Sequence, residues 1–278
     1  MNTGTLGEII KIKGEIQMSF DTTGFLGEQI QEFSLSNYQN HKILFEVGYE
    51  LNKFAYNLMH SINLDADDSQ HLICCSLFSK IHSGYQAILI LYKMGLETEA
   101  KVILRTILEA TFVLKAISED KNEVKNFIDT DKKQQENLLK IILEKDEANL
   151  YKDIKGSLSK EKLDELKKEI KEEGIKDIKI YEWANKAQLD IMYAYAYKML
   201  NFEVHTDVRT LSKYLEIDKE NNLVVGINSL PSDREINSSL LTAYSIMLIV
   251  LGCLNHMFNL ELDEELRVQE DKVMTLRT

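Results

Sequence analysis

Proline is almost missing from this chain of 278 residues: Pro231 is the only one, beside 12 glycines, 3 cysteines and a single tryptophan. Proline and glycine build turns and end helices, so their scarcity excludes a loop-rich or all-β fold with many tight connections. Positive charge is also short. The 33 Lys and Arg against 45 Asp and Glu leave a formal charge of −12, so no global field draws the chain to a polyanion, and no extended nucleic-acid surface is expected. Cys74 and Cys75 are adjacent, a poor geometry for a disulfide, and Cys253 is left over, so all three are read as reduced thiols. The N-terminus lacks the basic-then-apolar order of a signal peptide, which makes the cytoplasm the expected location. The longest apolar run, Leu240 to Phe258, contains Thr242, Ser245, Asn255 and His256 and is marginal in length for a bilayer. A buried core helix is expected there, and no membrane contact.

What is present is apolar residues at helical spacing. At 44% hydrophobic and 28% charged, the chain can fill a substantial core. The expected architecture is an all-α multi-helix bundle over residues 36–278, preceded by an N-terminal arm, 1–35. In that arm Ile10, Ile12, Ile16, Met18 and Phe20 roughly alternate, as in a small hairpin. Helices are expected from Ser36 to the Asp65–Asp68 cluster, from Ser69 to Met94 with Gly95 as the stop, and from Leu96 to Ser118. Ser76, Ser79, Ser83, Gly84 and Ala87 are small enough to let another helix approach the second of these closely. Between Glu119 and Lys179 the composition shifts to 17 acidic and 15 basic residues in 61, which reads as a charged helical insertion, two solvated helices projecting as an arm with a break near Gly156. Apolar spacing returns from Tyr181 and Trp183 to Asn201, and a short helix is expected over His205–Leu215. The segment Asn221–Pro231 suggests a loop or a strand pair. Ser232 is placed to cap the last long helix, with Glu235 as its capping-box acid.

Standard chemical motifs are absent: there is no phosphate loop, no Gly-x-Gly-x-x-Gly, no His-Glu-x-x-His and no Cys-x-x-Cys. None of the six histidines has Glu three residues before it, so a di-iron bundle is not indicated, and neither a metal nor a cofactor is expected. Arg105 and Glu109 stand out, an i, i+4 charge pair sharing a face with Val102, Phe112 and Ala116 in the most apolar helix. Removing such a pair from water costs several kcal/mol per ion unless partners compensate. The pair reads either as a buried network that registers the helices or as a binding or catalytic group. Tyr193 and Tyr197 present two phenols one turn apart, and His205 and Arg209, also i, i+4, could supply proton transfer and anion binding.

The string Gly95-Leu-Glu-Thr-Glu-Ala-Lys-Val-Ile-Leu-Arg105-Thr-Ile-Leu-Glu109-Ala, then a charged insert, Trp183, Tyr193, Tyr197 and Val204-His205, resembles the bacterial family known as domain of unknown function 5677. That family has a glycine before an Ala-x-x-Leu-x-Arg-x-x-x-Glu helix and a Tyr-rich helix leading to Ser-x-x-Val-His; Asn201 stands here in place of the serine. The resemblance implies an all-helical fold and convergence of Arg105, Glu109, Tyr197 and His205. A looser similarity is to helical ribonucleases of toxin and phage-defence systems, whose signature is Arg, four to six residues, then His. None of the five arginines has that spacing, and His205-Thr-Asp-Val-Arg209 reverses the order.

Two readings follow. In one, Arg105 and Arg209 bind a nucleotide or another small phosphate-containing ligand, His205 is the general acid or base of a metal-independent nuclease or nucleotide-acting effector, and Glu109 orients Arg105 or His205. In the other, the chain is a non-catalytic interaction or oligomerisation protein. The Arg105–Glu109 pair is then structural, and the 119–179 arm and the helix around Trp183 meet a partner or a second copy.

Overall fold

The computed structural model describes residues 23–145, 150–155, 158–205, 208–218, 220–221 and 223–277, without the side chains of Ile154 and Arg209. The expected hairpin over Ile10–Phe20 lies outside them. In chain order the helices are α1 (Gln29–Asn40), α2 (Lys42–Ser61), α3 (Ser69–Lys93), α4 (Glu97–Glu119), α5 (Glu123–Lys140), α6 (Lys152–Lys155), α7 (Lys160–Glu172), α8 (Ile180–Lys186), α9 (Asp190–Met192), α10 (Lys198–Val204) and α11 (Val208–Leu211). Strands β1 (Leu215–Asp218) and β2 (Leu223–Ile227) precede α12 (Ile236–Phe258) and α13 (Asp263–Thr275). The fold is all-α apart from this one ribbon among the described residues.

The chain divides into two compact units. The first takes in the described part of residues 1–63 with Ser76–Thr111 and Ile191–Thr278. At its centre is α12, whose Leu240, Ala243, Tyr244, Ile246, Met247, Val250, Leu251 and Leu254 are fully buried. Among the described residues α12 is the one helix long and apolar enough to cross a membrane by length and composition, and in this fold it is a core helix. The buried phenols of Tyr85 and Tyr244 donate to the carbonyls of Gly48 (2.9 Å) and Leu44 (2.8 Å) on α2, so the core keeps their rings without orphaning their hydroxyls. Helices α3 and α4 meet closely at Gly84, where a Cβ would lie 2.4 Å from Ile107 Cγ2. Gly95 takes φ +75° to turn α3 into α4, and Phe33 of α1 and Pro231 both lie against it.

Several local expectations are corrected. The helix expected from Ser36 is two helices, parted at His41, whose backbone leaves the helical region (φ −115°, ψ 28°) and whose imidazole meets Asp233 at 3.1 Å. His205–Leu215 is not one helix: only Val208–Leu211 and a 3₁₀ turn, Ser212–Tyr214, are helical before Leu215 starts β1. β1 pairs antiparallel with β2 from Leu215↔Ile227 to Asp218↔Leu223, with a bulge that leaves Val225 without an opposite residue. The last core helix begins at Ile236, after Glu235, whose side chain makes no cap bond; Ser232 Oγ accepts only from Arg234 N–H, at 3.4 Å, so the expected capping box does not form, and both side chains also meet other partners, described below.

The second unit comprises Leu64–Cys75 and Phe112–Asp190. Here α5 and α7 pack side by side and bury Leu139, Leu163 and Ile170, while Lys–Glu pairs join them at the surface: Lys125–Glu173 at 2.9 Å and Lys132–Glu169 at 2.6 Å. The charged segment therefore has apolar packing of its own. Trp183 is buried within this unit. It is 3% exposed, set edge-on to Phe127 with centroids 6.3 Å apart.

Candidate functional site

On α4, Glu97, Lys101, Arg105 and Glu109 follow one another at i, i+4 and form a polar stripe on an apolar helix. The facing segment runs from Tyr193 to Val204. Lys101 meets Glu203, whereas Arg105, one turn further along α4, meets Tyr197, so the two segments run antiparallel. Within the facing segment Tyr193–Tyr197 is a π-helical turn, with Lys198 N–H donating to the Tyr193 carbonyl five residues back. It stacks the rings of Tyr193 and Tyr197 at 5.1 Å and 18° and turns Tyr197 toward α4. The outer ring, Tyr193, carries the Lys198 ammonium 5.8 Å from its centroid.

Arg105, Tyr197 and Glu109 close a hydrogen-bonded triangle. Arg105 Nη2 donates to Tyr197 Oη at 2.8 Å and to Glu109 Oε1 at 2.8 Å, and Tyr197 Oη donates to the same Glu109 oxygen at 2.9 Å. The guanidinium also lies 5.1 Å from the Tyr197 ring centroid, a cation–π contact. Burial pushes the Tyr197 phenol above its ordinary pKa, and the Glu109 acceptor adds to this against the opposing Arg105. A neutral phenol that donates to one charge and accepts from the other fits that direction. The pair is less withdrawn from water than its apolar helix suggested: the Arg105 and Glu109 side chains stay 21% and 33% exposed, because this face of α4 opens to solvent beside Val102.

One turn toward the N-terminus the stripe is drier. The Lys101 side chain is only 4% exposed and is surrounded by Glu97 Oε1 (2.5 Å), Glu203 Oε1 (3.5 Å) and Glu235 Oε2. Lys213 reaches the same group, at 2.5 Å from Glu203 and 3.6 Å from Glu97. Ser232 Oγ donates to Glu97 Oε2 at 2.7 Å. Burial works against the Lys101 charge, but the hydrogen bonds to Glu235 and Glu97 outweigh it and hold the ammonium well above the ordinary lysine value. Burial likewise opposes the Glu97 carboxylate, and Lys101 and Ser232 together overcome it and lower its pKa. This cluster ties α4, α10, the turn before β1 and the approach to α12 into one network.

Along the whole seam three cations, Lys101, Arg105 and Lys213, face four carboxylates, Glu97, Glu109, Glu203 and Glu235. Each cation already has an acidic partner. Among the described residues no group of His, Cys, Asp and Glu is arranged to hold a metal. Arg105 Nε, Asn201 Oδ1 and Glu203 Oε2 are buried with no partner among the described residues.

The structure thus brings together Arg105, Glu109, Tyr193 and Tyr197. His205 caps α10 at the surface, with its backbone N–H on the Asn201 carbonyl at 3.1 Å, and among the described residues no side-chain bond joins it to the triangle. Eight residues beyond Tyr197, it is about 12 Å further along a helical path. Arg209 lies on α11, and its side chain is outside the described residues. Lys101 and its acidic partners were missed by sequence reasoning. The regular 97–101–105–109 spacing was the available signal, but Glu203, Lys213 and Glu235 carry none that links them to α4.

Comparison with known protein families decides the chain's membership. A family model described as "Family of unknown function (DUF5677)" matches residues 71–223, more than half of the chain. The chain belongs to this family. The DUF5677 segment takes in both sides of the seam, from α3 through Arg105 and Tyr197 to Lys213, and ends before Ser232 and Glu235. No curated protein and no solved structure matches the chain.

Proposed function

We propose that the chain is a cytoplasmic, non-catalytic association module, in which the Arg105–Tyr197–Glu109 triangle clamps the Tyr-rich segment to α4 so that its outer face can pair with a second copy. The observation that carries this reading is the contrast between the two faces of that segment. Inward, every seam cation is neutralised by a carboxylate, which leaves no charge to recruit a phosphate. Outward, Ile191, Tyr195 and Met199 follow one another at four-residue intervals and are 75%, 72% and 65% exposed. An uncharged stripe of this kind is a usual mark of an association surface. A copy of itself suits it: across a two-fold axis apolar residues meet apolar residues, whereas on a chain of charge −12 a broad acidic contact would repel its own copy. Coexpression of two differently tagged copies tests this. Each copy is expected to retrieve the other, and Tyr195→Glu with Met199→Glu to abolish retrieval; retrieval undiminished by the double substitution would overturn the reading.

A second reading is favoured by one atom. Arg105 Nε is a buried donor with no acceptor among the described residues, and a small phosphate-containing ligand would supply one, as a nuclease or nucleotide-acting effector with His205 in attendance requires. Thermal shift with inorganic phosphate and nucleoside phosphates separates the two. The association reading expects no saturable rise in Tm, and a rise lost in Arg105→Ala would favour the ligand.

A further inference from the structure

Helix α13 folds back along α12 and is tied to it at both ends. Asn255 Nδ2 donates to Asp263 Oδ1 at 2.9 Å beside the reversal, and Arg277 Nη2 donates to Ser245 Oγ at 2.9 Å at the far end. Near the reversal the two helices leave a cleft of about 460 Å³ between them, within the size range of small-molecule sites. Gly252 is part of its α12 wall, and close packing does not account for this glycine. At Gly48 and Gly84, the other glycines inside described helices, a Cβ would press on Tyr244 and Ile107; at Gly252 it would meet nothing within 4 Å. Glycine weakens a helix interior relative to alanine, and here no close approach compensates. What it leaves is open space in the cleft.

The cleft is also lined by charge that the fold does not use. Arg267 and Glu270 on α13 and Glu261 in the reversal face it, and among the described residues none of the three makes an ion pair or a side-chain hydrogen bond. Arg267 and Glu270 are i, i+3, a spacing that allows a pair, yet they stay apart. Nearby, by contrast, Lys272 reaches Glu50 at 2.6 Å. The reversal that carries Glu261 is held firmly: Asn255 Oδ1 accepts from Leu262 N–H at 3.0 Å, and the Asn255 carbonyl from Leu260 N–H at 3.1 Å. Asp263 adds a third carboxylate to the wall, His256 is its remaining titratable group, and the C-terminal end of α12 brings its negative pole. One guanidinium against three carboxylates suits a ligand with a single carboxylate and more than one positive group.

From the open wall at Gly252, the idle guanidinium and the surplus of carboxylate we infer that this cleft binds a basic α-amino acid, with its carboxylate on Arg267 and its ammonium groups on Glu261 and Glu270. This goes beyond the association reading and involves none of its residues. Thermal shift of the full-length chain at constant ionic strength tests it, with L-lysine as the probe, L-lysinamide to remove the carboxylate and L-norleucine to remove the side-chain ammonium. L-lysine is expected to raise Tm saturably, with half-saturation at least about tenfold below that of either comparator. Arg267→Gln is expected to erase the preference over L-lysinamide, and Glu261→Gln with Glu270→Gln the preference over L-norleucine. Gly252→Leu is expected to abolish the rise without lowering the Tm of the free protein. No saturable rise with L-lysine would overturn the inference. So would an equal response to L-lysinamide, which would leave only attraction of cations to an acidic surface, or a rise undiminished in Gly252→Leu.

Discussion

Lys101 carries more of the fold's stability than Arg105, although Arg105 is the more conspicuous residue in the sequence. Its ammonium is nearly dry, and Lys101→Met would leave the buried Glu97 and Glu203 carboxylates short of a counter-charge, a loss of about 3–5 kcal/mol. Arg105 and Glu109 are partly solvated, so Arg105→Ala should cost less, about 1–2 kcal/mol. Urea unfolding of the two variants checks the order; equal midpoints would refute it. The same cluster sets a pH dependence. The folded pKa of Glu97 is below its ordinary value, so its contribution is present above the unfolded carboxylate pKa, about 4.3, and is lost as pH falls through the lower folded value. Lys101 has the opposite shift, so its contribution is complete below the ordinary lysine pKa and survives the neutral to mildly alkaline range. Melting temperature should therefore hold between pH 7 and about 9 and fall below about pH 4.5, with a shallower acid slope in Glu97→Gln. Identical acid slopes would count against the network. Arg105, Glu109 and Tyr197 were legible because charge and phenol stood out against apolar helices. Lys101 was not, because its partners Glu203 and Glu235 lie 102 and 134 residues away and their convergence depends on tertiary packing.

Element by element, the long helices were readable and the breaks between them were not. The apolar spacing of α3, α4 and α12 located each to within a few residues, since 3.6-residue periodicity over 20 or more positions is hard to mistake. The parting of α1 from α2 at His41 has no glycine or proline to announce it; it follows from a contact with Asp233, far along the chain. The π turn at Tyr193–Tyr197 is equally silent, because i, i+4 tyrosines suit an α-helix as well. Close approach was legible in small residues, and Gly84 is the position where it matters. Gly84→Ala gains about 1 kcal/mol in helix propensity but forces a methyl onto Ile107, an overpacking cost of about 1–3 kcal/mol, so a net fall in Tm is expected. An increase would mean that α3 and α4 part easily.

At the scale of the whole molecule, the charged segment lies within the second unit, Leu64–Cys75 with Phe112–Asp190, where Leu139, Leu163 and Ile170 are buried. Exposure along the apolar stretch was not legible in the sequence: Trp183 is buried, whereas Ile191, Tyr195 and Met199 face solvent. Hydrophobicity alone does not say which side of a helix is covered. The central claim is that this outer stripe pairs two copies while the seam behind it only holds the stripe in place. Sedimentation velocity over a dilution series tests it most directly. Wild type is expected to move as a dimer that dissociates on dilution, and Tyr195→Glu with Met199→Glu as a monomer with an unchanged Tm; a wild-type chain that sediments as a monomer at every concentration would contradict the account.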